Sequence, residues 1–186
     1  LPIPFVGGER AGDVTVVRQV RELMQDEGAA AVVLMIDSGG GAVIAAEAMT
    51  AALEELAKQV PLVAFMNGVA ASGGYYVATP AQWIVAQPGT ITGSIGVISA
   101  KPITSGLRER LHVNTVTFTR GANADIFSDS TPFSEAQRAQ MRATIEALYQ
   151  QFVARVAKSR RMSAEAVDAV SGGRVWTGEQ ALQHGL

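Results

Sequence analysis

The chain has 186 residues, with 15 Lys and Arg against 17 Asp and Glu, a formal charge of −2 and 48% hydrophobic composition. That supplies one substantial core, and the chain reads as a single domain over residues 1–186. The basic residues are scattered, with only Arg160 and Arg161 adjacent, so there is no electrostatic footprint for nucleic acid or anionic lipid. Without cysteine there is no disulfide, thiolate nucleophile or thiolate metal site, and the compartment stays open. No apolar run approaches the roughly 20 residues that cross a bilayer. The start at Leu1-Pro2-Ile3-Pro4-Phe5 lacks a basic n-region and an initiator Met, so it reads as processed or truncated, with upstream sequence expected.

In chain order, Ala31 to Ile36 is a continuous apolar run ending at Asp37-Ser38-Gly39-Gly40-Gly41, the pattern of a fully buried strand meeting a turn. Ala42 to Gln59 follows as an Ala-rich helix. Pro61 to Met66 repeats the strand signal, Asn67-Gly68 ends it, and Ala70 to Ala78 suits a helix start followed by an apolar helix. Shorter strands are expected at Trp83–Ala86, around Ile95 to Ile98 and at Val113–Phe118, with a helix from Ile103 to Leu111. Gly121 to Pro132 is turn-rich. Ser134 and Gln137 then form a capping box opening a long helix to about Lys158, with Met141, Ile145, Leu148, Phe152 and Val156 on one stripe. Short helices are expected at Ser163–Val170 and Thr177–Leu182. The alternation predicts an α/β fold with a mainly parallel sheet flanked by helices and a C-terminal helical segment.

The two glycine-rich turns, 37–41 and 68–74, each lie after a buried strand and before a helix, where α/β proteins place ligands. A serine at a helix N-terminus sits beside unpaired N–H groups and a partial positive charge, which favour an oxyanion. Ser72 fits that description, with the N–H groups of Gly73 and Gly40 as candidate oxyanion donors. Taken alone, Ser72 reads first as an N-cap hydroxyl and Gly39-Gly40-Gly41 as an ordinary turn. No phosphate-binding pattern accompanies either glycine turn.

Taken together, Ala70-Ala71-Ser72-Gly73-Gly74-Tyr75-Tyr76, Thr90-Ile91-Thr92-Gly93-Ser94-Ile95-Gly96-Val97 and Arg174-Val175-Trp176-Thr177-Gly178 resemble the signal peptide peptidase A (protease IV) family of serine/lysine peptidases over nearly the whole chain. Asp37 to Gly41 stands where that family has Asn-Ser-Pro-Gly-Gly. The resemblance implies a Clp protease/crotonase-like fold, Ser72 as nucleophile, a lysine general base, Ser94 orienting that lysine, and no cofactor. It also implies apolar peptide substrates such as signal-peptide remnants, and self-association into rings or domes. Membrane attachment through a segment outside this chain, with the catalytic domain on the extracytoplasmic face, is implied as well.

One departure stands out. The family's single-length members carry the lysine in Ser-Gly-Lys-x-Lys-Asp, and the corresponding stretch here is Arg120 to Asp125, with Ala124 at the lysine position. Lys58 and Lys158 fall near helix ends, where solvated lysines are the norm, which leaves Lys101, just past the Ser94 turn, as the remaining lysine. His112 and His184 read as surface residues outside any motif and supply neither a triad nor a metal site. Double-length members share their sites, the N-terminal half giving lysine and the C-terminal half serine. The resemblance therefore points to the C-terminal half of a longer chain, its base supplied by an N-terminal domain or partner subunit. The alternatives are an inactive Clp/crotonase-like binding domain, or a structural assembly domain built on the helices 42–59 and 134–158.

Overall fold

The computed structural model describes residues 12–26 and 28–186, so the expectation placed on Leu1–Phe5 lies outside the described residues. In chain order the elements are α1 (Asp13–Leu23), β1 (Val32–Ser38), α2 (Val43–Ala57), β2 (Leu62–Ala71), α3 (Gly73–Ala78), β3 (Trp83–Ala86) and β4 (Ile91–Gly93). There follow α4 (Ser105–Arg110), α5 (Glu135–Arg160), α6 (Ala164–Val170), β5 (Val175–Thr177) and α7 (Gly178–His184). The fold is mixed α/β with a mostly parallel sheet and flanking helices. The chain divides into two compact units, one of residues up to Gly96 with Gln151–Leu186, the other of Val97–Gln150.

In the first unit β2 is the central strand. It pairs in parallel with β1 on one edge; on the other, Val63–Met66 pair with β3 and Val69–Ala71 with β4, all parallel. Only β5 runs antiparallel, against β4. The core holds Leu62, Ala64 and Met66 of β2, Leu53 and Leu56 of α2, Tyr75 of α3, and Phe152, Val153 and Val156 at the end of α5.

The run at 31–36 does form a strand, but only one of its faces is covered. Val33 and Met35 are 67% and 69% exposed, and their in-register neighbours across β2, Trp83 and Val85, are 60% and 47% exposed. A run apolar on both faces was expected to be buried on both; instead Val33 and Met35, with Trp83 and Val85, stand on a face of the sheet left open among the described residues.

Behind α3, Arg155 of α5 reaches Glu54 at 2.7 Å and Glu47 at 3.1 Å on α2, while Tyr76 donates its hydroxyl hydrogen to Glu47 and packs edge-on against Phe152. Burial and the Glu47 hydrogen bond push the Tyr76 phenol up to about 12. Ser159 donates to the Thr79 carbonyl at 2.7 Å, closing the C-terminal end of α3.

The second unit is organised by side chains more than by regular elements. Arg108 forks onto the Asp129 carboxylate at 2.7 and 2.8 Å and donates to Ser130, and Thr104 donates to Asp129 from both its N–H and its hydroxyl. The capping box at Ser134 and Gln137 is formed in both directions. The expected strand at 113–118 is not formed: residues 111–120 are all exposed and lie in no ladder. Its alternation of apolar and polar residues is the right period for a strand, but a strand also needs a partner edge. The strand expected around 95–98 sits instead at Ile91–Gly93. No helix among the described residues is long and apolar enough to cross a membrane.

Candidate active site

β2 continues to Ala71, further than the strand signal implied, and α3 opens directly after it, so Ser72 occupies the junction alone. Its backbone stands at φ 52 and ψ −118, a conformation non-glycine residues seldom adopt and which costs on the order of 1–3 kcal/mol. The Ser72 N–H donates to the Gly93 carbonyl at 2.9 Å, which fixes the junction to the end of β4. Its side chain makes no capping hydrogen bond to α3. The N-cap alternative therefore fails, and a half-buried hydroxyl is left uncommitted at a helix N-terminus.

The two glycine turns meet there. A Cβ on Gly40, whose φ is +108, would lie 2.8 Å from the Ser72 Cβ and 2.9 Å from the Gly73 nitrogen. One on Gly73 would lie 3.1 Å from the Gly41 nitrogen, and one on Gly74 would lie 2.6 Å from the Ser38 carbonyl oxygen. At Gly40 and Gly74 any side chain would force the backbones apart, while at Gly73 it would have to push its neighbour by a few tenths of an ångström. The Gly40 N–H donates to the Ser38 hydroxyl at 3.2 Å, whereas the N–H groups of Gly41 and Gly73 are unengaged. Open amide hydrogens thus come from both turns, and the expectation for Gly40 is qualified by a long, exposed bond that a substrate oxygen would have to displace.

Ser94 is brought to the same place, because the β2–β4 ladder pairs Ala71 with Gly93. It too has a left-handed backbone, φ 49, and its N–H donates to the Arg174 carbonyl at 2.7 Å. The Arg174–Gly178 motif thereby acquires a structural reason. Its β5 segment braces the Ser94 turn, and a Cβ on Gly93 would lie 2.8 Å from the Trp176 ring. Three-residue strands carry no readable period, so the sequence showed the motif without its pairing.

The remaining candidates separate as follows. Lys58 is exposed and pairs with Glu55 at 2.6 Å; Lys158 is exposed. Lys101, in the second unit, is half-buried with its Nζ 4.2 Å from the centre of the Phe133 ring and no hydrogen-bond partner. Ala124 is exposed. His112 is exposed, while His184 is half-buried against Trp176 at 4.2 Å between ring centres and thus more enclosed than its sequence context implied. No cluster of metal-ligating side chains occurs among the described residues.

Comparison with known proteins adds an independent line. A profile described as Peptidase family S49 matches residues 54–186. The chain is 37% identical over 184 residues to Protease 4 of Salmonella typhi, covering 97% of this chain and 30% of that protein. It is 35% identical over 172 residues to the chloroplastic serine protease SPPA of Arabidopsis thaliana, covering 92% of this chain and 25% of that protein. With a putative signal peptide peptidase SppA of Enterococcus faecium it shares 37% identity over 137 residues, covering 72% of this chain and 40% of that protein. The chain thus spans well under half the length of these relatives.

Proposed function

The chain belongs to peptidase family S49, and from that premise we propose that it is the nucleophile-bearing domain of a serine endopeptidase that degrades signal peptides or other apolar peptides. The single observation that carries this reading is Ser72: an uncommitted hydroxyl on a strained strand-to-helix junction, flush against the glycine turn of the neighbouring strand. A Clp protease/crotonase-like arrangement of the α/β fold belongs to the same proposal. The inactive binding or assembly reading is not favoured, since the relatives carry protease names.

In the proposed reaction a neutral lysine amine takes the Ser72 hydroxyl proton as Oγ bonds to the peptide carbonyl carbon. The oxyanion is held by N–H groups of Gly73 and of the Gly40–Gly41 turn. The lysine returns the proton to the departing amine as the C–N bond breaks, leaving an acyl-enzyme that water hydrolyses by the same steps. Ser94 orients the lysine. Position 124 is alanine, so the lysine is supplied by an N-terminal domain or a partner subunit, within a homo-oligomer attached to the membrane through sequence outside this chain and facing the extracytoplasmic side.

The test is cleavage of an apolar peptide by the full-length protein, by its Ser72→Ala variant and by residues 1–186 alone. Loss of cleavage in Ser72→Ala and in the isolated chain is expected. Cleavage surviving Ser72→Ala rules out the nucleophile; a full rate from the isolated chain rules out the shared base and turns attention to Lys101→Met.

A further inference from the structure

The β1–β2 ladder contains a break that sets where Ser72 falls. Between Ile36 and Ser38 β1 advances two residues, while β2 advances four, from Met66 to Ala70. On the opposite edge β2 changes partner across the same stretch, from β3 at Val63–Met66 to β4 at Val69–Ala71. Asn67 and Gly68 therefore sit in a bulge where neither ladder is continuous, five and four residues before Ser72. Bulges of this kind cost ladder hydrogen bonds and re-aim the strand beyond them.

Two side chains close the break, one from each edge. Asp37 lies opposite the bulge on β1, and its carboxylate accepts the Val69 N–H at 3.1 Å. The carboxylate lies alongside Gly68, where a Cβ would stand in ordinary contact at 3.5 and 3.8 Å from its two oxygens. From the other edge Thr90, 2% exposed, donates its hydroxyl to the Asn67 carbonyl at 2.6 Å and accepts the Gln87 N–H at 3.1 Å. Thr90 is buried and Asp37 exposed, yet both meet backbone groups of the same interruption. From there β2 runs without a further break to Ser72, between Gly40 and Gly93.

We propose that Asp37 and Thr90 are positioning residues for the nucleophile, clamping the two edges of the β2 bulge so that Ser72 is delivered in register against both glycine turns. Neither touches the substrate. The proposal rests on the peptidase reading above. Because a reacting atom displaced by a fraction of an ångström loses rate before it loses binding, the signature is in turnover.

The experiment measures kcat and KM for an apolar peptide in the full-length protein, beside the unfolding midpoint of each variant. Thr90→Val, which removes the hydroxyl at nearly constant volume, and Asp37→Ala are each expected to lower kcat by about tenfold or more with KM within about threefold. Thr90→Ser and Asp37→Asn, which keep a hydroxyl donor and a carbonyl acceptor, are expected to restore most of the turnover. Asp37 is exposed, so its pair of variants decides the matter even where Thr90→Val does not fold. Unchanged kcat in Thr90→Val and Asp37→Ala overturns the inference. So does a loss of stability with kcat and KM moving together and no rescue by the conservative variants. If Ser72→Ala cleaves as well as the wild type, the peptidase reading falls and the inference with it; if Ser72→Ala is dead while Asp37→Ala and Thr90→Val are normal, only the inference falls.

Discussion

The glycine turns around Ser72 and the segment 120–125 of the second unit are both rich in small residues, but they are built under opposite constraints. At Gly40 and Gly74 an added Cβ would press on backbone or on Ser72 at 2.8 and 2.6 Å. At Gly121 it would meet nothing nearer than the Ala124 Cβ at 3.9 Å, in a stretch exposed from Leu111 to Ala124. Around Ser72, at Gly40 and Gly74, backbone is fitted against its neighbours with no slack for a side chain. The segment where the single-length pattern carries its lysine has no such fit, so alanine at 124 is tolerated by the fold, and exposed positions of that kind shift stability by about 0.5 kcal/mol at most.

That contrast breaks most easily in the first turn. Gly40→Ala is expected to lower cleavage by about 100-fold or more, because it forces Ser72 and Gly73 away from the 37–41 turn. Gly39→Ala, one residue away with nothing within 4 Å of its Cβ and no positive φ, is expected to leave cleavage intact and raise stability by about 0.4–1 kcal/mol through the unfolded chain. Equal losses from the two, read as cleavage rate beside unfolding midpoint, would dissolve the distinction.

Smaller effects follow from the charged clusters. Arg155→Ala strips the shared partner from Glu47 and Glu54, and a loss of about 1–2 kcal/mol is expected in denaturant unfolding, the half-exposed carboxylates keeping it below that of a fully buried pair. The Tyr76 phenol is raised to about 12 in the folded state from an ordinary value of 10.0, so its contribution is complete below pH 10 and lost as pH rises through about 12. Tyr76→Phe should flatten that alkaline decline in a series of thermal melts. In the second unit the Arg108 fork, with help from Thr104, holds the Asp129 carboxyl below its ordinary value. Its contribution is present above the ordinary carboxylate range and lost as pH falls through that lowered value, and Asp129→Asn should remove this acid dependence, the smallest change of the set.

Much of this was legible beforehand. The strand, turn and helix at 32–57, the start of β2 and the capping box at Ser134 and Gln137 follow from period and end signals strong enough to survive packing. Ser72 could be singled out because its motif, taken with those at Thr90–Val97 and Arg174–Gly178, resembles one peptidase family, whereas alone it reads as an N-cap. Its strained φ, and the failure of its hydroxyl to cap α3, depend on Gly93 and Gly40, which lie far away in sequence. At 95–98 and 113–118 an apolar pattern had no partner edge and no strand formed, and neither α1 nor β5 carries a signal that sequence alone makes plain. The Asp37 and Thr90 clamp was invisible because it exists only once the β1–β2 register is known.

The backbone at Ser72 also sets a trap for anyone improving this protein by selection. A residue at φ 52 and ψ −118 is one that glycine would occupy with relief. A screen that rewards heat resistance alone would therefore enrich Ser72→Gly, a sturdier molecule without the hydroxyl proposed as nucleophile. Under the proposed function, what keeps a hydroxyl at that corner is pressure on turnover, working against the thermodynamic preference of the chain.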